Sequence, residues 1–466
     1  MLTYFFNDIG SDSLYEHLYK CIKNDIEQGV LKSGTKLPSK RAFAKNLNIS
    51  TITVENAYHQ LISEGYIYSI AKKGYFIAEI SENFEKQETN QPSRIYDSNE
   101  NKDEFLINLA GNHTNPDTFP FSIWTKLMRE VMTDLPNSLM KTSSPAGIYE
   151  LREEIAKHLK TFRGMNVSAD NIIIGAGTDY LYRLIIELLG YDKSYSLEDP
   201  GYKKLYRIYN GANVKCSFIP IDENGIIVDK LRESGADIVH ISPSHHFPSG
   251  ITTPISRRYE IIGWAAASKD RYIIEDDFDS EFRMTGKPIP SLQSIDVIEK
   301  VIYMNTFSKS LASTIRISYM VLPPHLTKKF QEKMNFYSCT VSNFEQYTLL
   351  RFLKDGYFER HINRMRRYYR SLRDRLLREI EQSSLSKIAT ITEENSGLHF
   401  LMKIKTDLSD EKIKEIAEKN NIKLSLLSEY YQNPTEECKH TLVINYSGIK
   451  PETIEKAVKT LAECIQ

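Results

Sequence analysis

Residues able to do chemistry concentrate between Tyr272 and Arg316. The apolar run Tyr272-Ile273-Ile274 ends in acids, Glu275-Asp276-Asp277-Phe278-Asp279. Asn305-Thr306-Phe307-Ser308-Lys309-Ser310-Leu311 follows, and then Arg316. A carboxylate closing one strand, a lysine flanked by hydroxyls and a nearby arginine match the needs of pyridoxal 5'-phosphate (PLP). Its aldehyde takes a lysine amine, its pyridine nitrogen takes a carboxylate, and its phosphate takes hydroxyls and a guanidinium. On this reading Lys309 forms the Schiff base and Asp276 keeps the ring nitrogen protonated.

The surrounding pattern supplies elements that can hold these groups. From Asn108 onward strands alternate with helices, which predicts an α/β architecture with a mainly parallel sheet. Asn171-Ile172-Ile173-Ile174 is a short strand, and Gly175-Ala176-Gly177-Thr178-Asp179-Tyr180 turns from it into a helix. Backbone N–H groups at such a turn can approach a phosphate. Glu198-Asp199-Pro200-Gly201-Tyr202 ends another strand and offers an aromatic ring for stacking. Ile238 to Pro243 leads to Ser244-His245-His246-Phe247-Pro248-Ser249-Gly250. Open α/β sheets bind ligands at the carboxyl ends of their strands. Here those ends present a phosphate turn, an aromatic, an acid and a lysine, in that order.

The first eighty residues have another character. Leu14, Leu18, Cys21, Ile22, Ile26 and Val30 recur at helical spacing behind a Ser13 cap. Ser39 caps a second helix with Phe43, Ala44 and Leu47 on its apolar face. Ser50 caps a third that turns Val54, Ala57, Tyr58, Leu61 and Ile62 inward. Tyr66, Tyr68 and Ile70, then Lys72-Lys73-Gly74, then Tyr75-Phe76-Ile77 read as a hairpin with a basic tip. Three short helices and a hairpin make a winged helix-turn-helix.

Residues 11–79 resemble the GntR-family DNA-binding domain. Lys36-Leu37-Pro38-Ser39-Lys40-Arg41, Ser50-Thr51-Ile52-Thr53-Val54 and Leu61-Ile62-Ser63-Glu64-Gly65-Tyr66 fall in that family's order. The resemblance implies that Ser39 and Arg41 hold DNA phosphates. Ser50, Thr51, Thr53 and Asn56 would face the groove, and Lys72, Lys73 and Gly74 would form the wing tip. Thr51 stands where the family often has arginine, so a bidentate guanine contact is not available there. A helix-turn-helix half-site suggests a dimer on a repeated operator.

The remainder resembles fold-type I PLP enzymes of the aminotransferase class. The whole chain is similar to the MocR subfamily of GntR regulators. Glu-Asp-Pro-Gly-Tyr, Pro-Ser-His-His-Phe-Pro-Ser-Gly, Glu-Asp-Asp-Phe-Asp-Ser-Glu-Phe and Thr-Phe-Ser-Lys-Ser-Leu carry that resemblance together. By it Tyr202 stacks on the ring, Gly177, Thr178, Thr306 and Ser308 supply phosphate donors, and Arg316 neutralises the phosphate. The expected domains are a winged helix-turn-helix (1–80), a flexible linker (81–105) and a PLP-binding large domain (106–350). A basic connecting helix (351–387) and a small α+β domain (388–466) complete the chain.

Three departures weaken the enzyme reading. Phe278 stands where the family has a tyrosine that meets the ring oxygen. No arginine occurs after Arg378, although aminotransferases of this fold clamp a substrate carboxylate from the small domain; lysines such as Lys423 or Lys439 cannot reproduce a bidentate clamp. Lys204 replaces the arginine that amino-acid-sensing members place two residues after the stacking tyrosine. The expected protein is therefore a transcription regulator that senses PLP itself, with control of vitamin B6 synthesis in view, or senses an amine or amino acid through Lys309. The alternative is an active aminotransferase with a fused DNA reader.

Composition bounds the rest. A formal net charge of −1 places any basic surface locally. Residues 1–80 are nearly balanced in charge. Residues 351–378 are strongly basic, a run that could add non-specific DNA affinity through Arg366, Arg367 and Arg370. The five cysteines form no CxxC pair, so neither a disulfide framework nor a zinc site is expected. No metal, no signal peptide and no membrane span are expected, and a cytoplasmic homodimer is.

Overall fold

The computed structural model describes residues 2–4, 6, 12–79, 105–111, 114–283, 289–395 and 397–465. The expected linker falls almost wholly outside them. Contacts divide the chain into two units, Met1–Lys102 and Asp103–Gln466.

In the first unit α1 spans Leu14–Glu27, α2 Lys40–Leu47 and α3 Thr51–Ser63. Strands β1 (Ile67–Ile70) and β2 (Gly74–Ile77) pair antiparallel. The caps follow the sequence. Ser39 Oγ accepts the Ala42 N–H at 3.3 Å, and Ser50 Oγ accepts the Thr53 N–H at 3.0 Å. Leu18, Ile22, Phe43, Val54, Ala57, Tyr58, Leu61, Ile67 and Ile77 form the core. Leu14, Val30 and Ile62, expected inside, are exposed. Val30 lies beyond the end of α1, so helical spacing no longer governs it. Ile62 is rotated about 100° from Leu61 and so leaves the buried stripe.

The second unit is built on an eight-stranded sheet. Its strands, after the short β3 (Ile107–Asn108), are β4 (Ile172–Ala176), β5 (Ser194–Asp199), β6 (Lys215–Asp222), β7 (Gly225–Ile226) and β8 (Ile238–Ile241). They continue with β9 (Tyr272–Asp276), β10 (Val301–Thr306) and β11 (Ile317–Val321). The order is β4-β11-β10-β9-β8-β5-β6-β7, with β11 and β7 antiparallel to their neighbours. Strands buried on both faces explain the unbroken apolar runs. Ile238 and Ile274 pack on one face with the helix Thr178–Leu189; Val239, Ile241 and Ile273 pack on the other with Trp264.

A second sheet joins β12 (Ala389–Thr392), β13 (His399–Ile404) and, beyond β14 (Ile422–Lys423), β15 (Thr441–Asn445), all antiparallel. β14 instead pairs with β3, so the start of the unit is tied to its C-terminal part. Among the described residues no helix is long and apolar enough to cross a membrane, and no group of histidine, cysteine and acidic residues is placed to hold a metal.

Candidate functional site

The strand ends converge because of the sheet's topology. β4, β5, β8, β9 and β10 are parallel, so Gly177, Glu198, Ser242, Asp276 and Thr306 arrive at one edge. β11 runs the other way, and its first residues return to that edge: Ile317 pairs with Ala176, and Ser318 with Thr306. Arg316 is thereby set beside Gly177. Glu198, Ser242, Asp276, Thr306 and Arg316 line a cavity of about 600 Å³ together with Thr178, Tyr202, Phe278, Ser308 and Lys309. Its far wall is Asn108, Gly111, Lys423, Ser425, Tyr430 and Gln432.

Asp276 has two unlike oxygens. Oδ2 accepts a hydrogen bond from the Tyr182 hydroxyl at 2.5 Å and lies 3.5 Å from His240 Nε2. His240 Nδ1 pairs with the Tyr209 hydroxyl at 2.7 Å. Oδ1 is buried and has no protein partner. A buried carboxylate oxygen left open on a cavity wall fits the N–H of a protonated pyridine ring. Sequence reading missed Tyr182, His240 and Tyr209. The signal was a histidine inside the apolar run Ile238-Val239-His240-Ile241, and a tyrosine one helical turn beyond Thr178.

Lys309 lies on the four-residue helix Phe307–Ser310. Burial lowers its amine to about 8, against the opposing pull of Asp279. Thr306 and Ser308 position this turn. Thr306 Oγ1 accepts the Ser308 N–H at 3.1 Å and the Ser318 hydroxyl at 2.8 Å, and Ser308 Oγ donates to the Ile315 carbonyl at 3.1 Å. Both reach the cavity, but their hydroxyls are engaged in holding the lysine turn.

Gly177 has φ 89° and ψ 162°, a conformation that suits glycine alone. A Cβ there would lie 2.3 Å from Arg316 Nη2. The missing side chain therefore admits the guanidinium against the N-terminus of the helix that begins at Thr178. Arg316 Nη2 and Lys204 Nζ both reach Asp179 Oδ2, at 3.2 and 2.7 Å. Glycine, guanidinium and helix start form a cradle that a phosphate fits.

Tyr202 lies at the mouth, half exposed and edge-on to Phe247. Phe278 stacks on His245, which pairs through Nδ1 with Asp279 at 2.9 Å. Glu198 is pushed up to about 8 by burial, and His246 down to about 3 by burial and then by His245. Their 3.6 Å contact is thus one between neutral groups at pH 7. Lys439 pairs with Glu436 away from the cavity, and the strand Leu442 to Asn445 is buried and apolar.

The reader's predicted residues lie together on the first unit. Arg41, Thr51 and Asn56 are exposed, and Thr53 is half-buried with its hydroxyl on Ser50. Lys72 and Lys73 form the exposed turn of the wing, with Lys72 at φ 63°. Gly74, at φ 114°, sits against the Lys36 side chain, a basic group not singled out from sequence. Lys40 is paired with Glu55 at 2.5 Å.

The basic helix Tyr357–Gln382 buries one face and leaves Arg360, Arg364, Arg367, Arg370, Arg375 and Arg378 exposed. Arg366 donates to the Glu281 carbonyl at 2.6 Å and lies over Phe162, and Arg373 is buried against Asp374 and the Glu394 carbonyl. Arg366 is half-buried with its Nε engaged, whereas Arg367 and Arg370 are exposed.

The two units together define a class: a winged helix-turn-helix joined to an aminotransferase-like PLP fold. Residues 106–461 match the family described as Aminotransferase class I and II, which is PLP-dependent, and residues 14–77 match Bacterial regulatory proteins, gntR family. The chain belongs to the MocR subfamily of GntR-type regulators. It is 37% identical over 462 residues to the HTH-type transcriptional regulator YdeL of Bacillus subtilis, covering 99% of this chain and 98% of that one. The pyridoxine biosynthesis regulator PdxR of Corynebacterium glutamicum is 29% identical, over 84% of this chain and 83% of its own. Among solved structures, kynurenine aminotransferase from Pyrococcus horikoshii aligns with TM-score 0.67 and 27% identity, over 77% of this chain and 90% of that one.

Proposed function

We propose that this chain is a transcription regulator whose operator binding responds to PLP held in the second unit. The carrying observation is the unpartnered Oδ1 of Asp276 in the cavity that Lys309 also lines with Arg316, whose guanidinium lies against Gly177. When bound, PLP supplies an aldehyde for an amine and an electron-withdrawing ring. Asp276 would hold the ring N–H, with Tyr182 and His240 fixing the carboxylate from behind. Lys309 would bond the aldehyde, and its depressed basicity keeps part of it as the neutral nucleophile near pH 7.5. Arg316, the Thr178 helix start and Gly177 would take the phosphate, and Tyr202 would cover one ring face.

Regulation is favoured over turnover by the far wall of the cavity. Lys423 is the cation that the small-domain side contributes among the described lining residues, and its ammonium lies over the Phe105 ring at 5.6 Å. A point charge does not fix a carboxylate as a guanidinium fork does. PLP itself then becomes the first candidate effector, and control of vitamin B6 supply the first candidate role; the 29% identity to a pyridoxine biosynthesis regulator supports this. An amine or amino acid that competes with Lys309 for the aldehyde is the second candidate.

Operator binding measured with and without PLP, for wild type and Lys309→Ala, tests the proposal. PLP should change wild-type affinity and leave the variant's unaltered. Equal affinities in all four arms would overturn it.

A further inference from the structure

Asp179 is unexplained by the functions above, yet it lines the cavity where the phosphate would sit. It is the second residue of the helix that begins at Thr178. Its Oδ2 lies 2.7 Å from Lys204 Nζ and 3.2 Å from Arg316 Nη2. The Arg316 guanidinium itself lies over Gly177. One carboxylate oxygen therefore occupies the point where two cations and a helix N-terminus meet. That is the set of partners an incoming phosphate oxygen requires.

We propose that Asp179 is an internal competitor for phosphate that sets the concentration of phosphorylated ligand at which the cavity fills. The inference rests on the PLP reading and deepens it. A phosphate at the cradle must take Arg316 from Asp179, or remain beside a like charge; either outcome weakens binding. The carboxylate has little to do for folding. The side chains of Asp179, Lys204 and Arg316 are 37%, 47% and 48% exposed, and exposed ion pairs hold little folding energy.

Lys204 gives the arrangement a second consequence. It stands two residues after Tyr202, yet its ammonium is held by Asp179. Displacing Asp179 frees that ammonium at the mouth of the cavity. Arrival of a phosphate and release of a cation are thus coupled through one side chain. A regulator gains from this arrangement, because its ligand should leave when supply falls, whereas an enzyme gains from permanent occupancy.

The test is titration of the full-length protein with PLP, followed by the visible band of the lysine-linked chromophore and by tyrosine and tryptophan fluorescence. Pyridoxal, which lacks the phosphate, is titrated in parallel. Asp179→Asn removes the charge and keeps the shape; Asp179→Ser is the second variant. Both should bind PLP about two- to fivefold tighter, the range expected from losing an exposed ion-pair competitor. Pyridoxal affinity should not change. Unchanged or weaker PLP binding in both variants, with wild-type binding intact, overturns the role of Asp179 and spares the PLP reading. An equal gain for pyridoxal overturns it as well. A wild-type protein without a band or quenching overturns both.

Discussion

Replacing Gly177 by alanine tests the phosphate cradle most directly. The added Cβ would stand 2.3 Å from Arg316 Nη2 and 2.6 Å from its Cζ. Ordinary contact begins near 3.5 Å, so the guanidinium must retreat by about 1 Å or more. The backbone adds its own demand: φ 89° with ψ 162° is a region that costs a non-glycine residue roughly 1–3 kcal/mol. That cost falls on folding. The displacement falls on binding, because a charge-assisted hydrogen bond is worth about 1.5–3 kcal/mol. Gly177→Ala should therefore weaken PLP binding by about tenfold to a hundredfold. Pyridoxal, which makes no use of the cradle, should be affected far less. Fluorescence titration of both ligands measures the ratio, and thermal melting reports the folding cost separately. PLP affinity equal to wild type in a folded variant would refute the cradle as the phosphate site. An equal loss for pyridoxal would locate the damage in the ring pocket instead.

Two further outcomes are expected. Lys309 must be neutral to attack an aldehyde, and its basicity is depressed to about 8 by burial. The rate of PLP capture should thus rise about tenfold per pH unit below pH 8 and level off above it, in stopped-flow absorbance. Asp279 favours the charged amine, so Asp279→Asn should move the break to lower pH; a break near the ordinary lysine value would contradict the buried site. On the DNA side, the exposed wing tip predicts that Lys72→Glu with Lys73→Glu lowers operator affinity and shallows its salt dependence by about two units of log–log slope. An unchanged slope would remove both lysines from the phosphate contacts.

How much of the site could be read from sequence depended on whether a residue's role is local. Ser39 and Ser50 were legible as caps because a cap is settled within four residues. Asp276 was legible because it closes an apolar strand, and Lys309 because it follows one by three residues. Tyr182 and His240 were not, since their meaning comes from β8 lying beside β9 and from the helix Thr178–Leu189 crossing the same face of the sheet. Arg316 was chosen by its distance from the lysine, but its place beside Gly177 follows from the reversal of β11, which no local pattern announces. Thr306 and Ser308 show the converse. Hydroxyls beside a lysine read as phosphate donors, and hydrogen bonds that no local pattern announces also tie the lysine turn to β11 and its approach. Arg366 differs from Arg367 and Arg370, which are exposed. A helical charge run reads as a solvated face, and only the packed helix reveals a carbonyl and an aromatic ring as its partners.

The cations of the cavity decide between turnover and sensing. On the proposed reading Lys309 would be taken by the aldehyde and Arg316 by the phosphate. Lys204 is held by Asp179. Lys423 has its ammonium over Phe105. What is left for a substrate carboxylate among the described lining residues is lysines, Lys203 and Lys423, where an aminotransferase uses a fixed fork. Catalysis depends on interactions that strengthen in the transition state, and a mobile point charge is poor at providing them. Sensing asks for less: a ligand has only to favour one of two states of the protein. Loss of the clamp lowers the first capacity sharply and leaves the second intact. The retained Asp276–Tyr182–His240 cluster points the same way, because it supports the ring whether or not a substrate follows. On the proposed reading the chain holds the residues that would seat the cofactor, while among the described lining residues no guanidinium besides Arg316 is left for a substrate carboxylate.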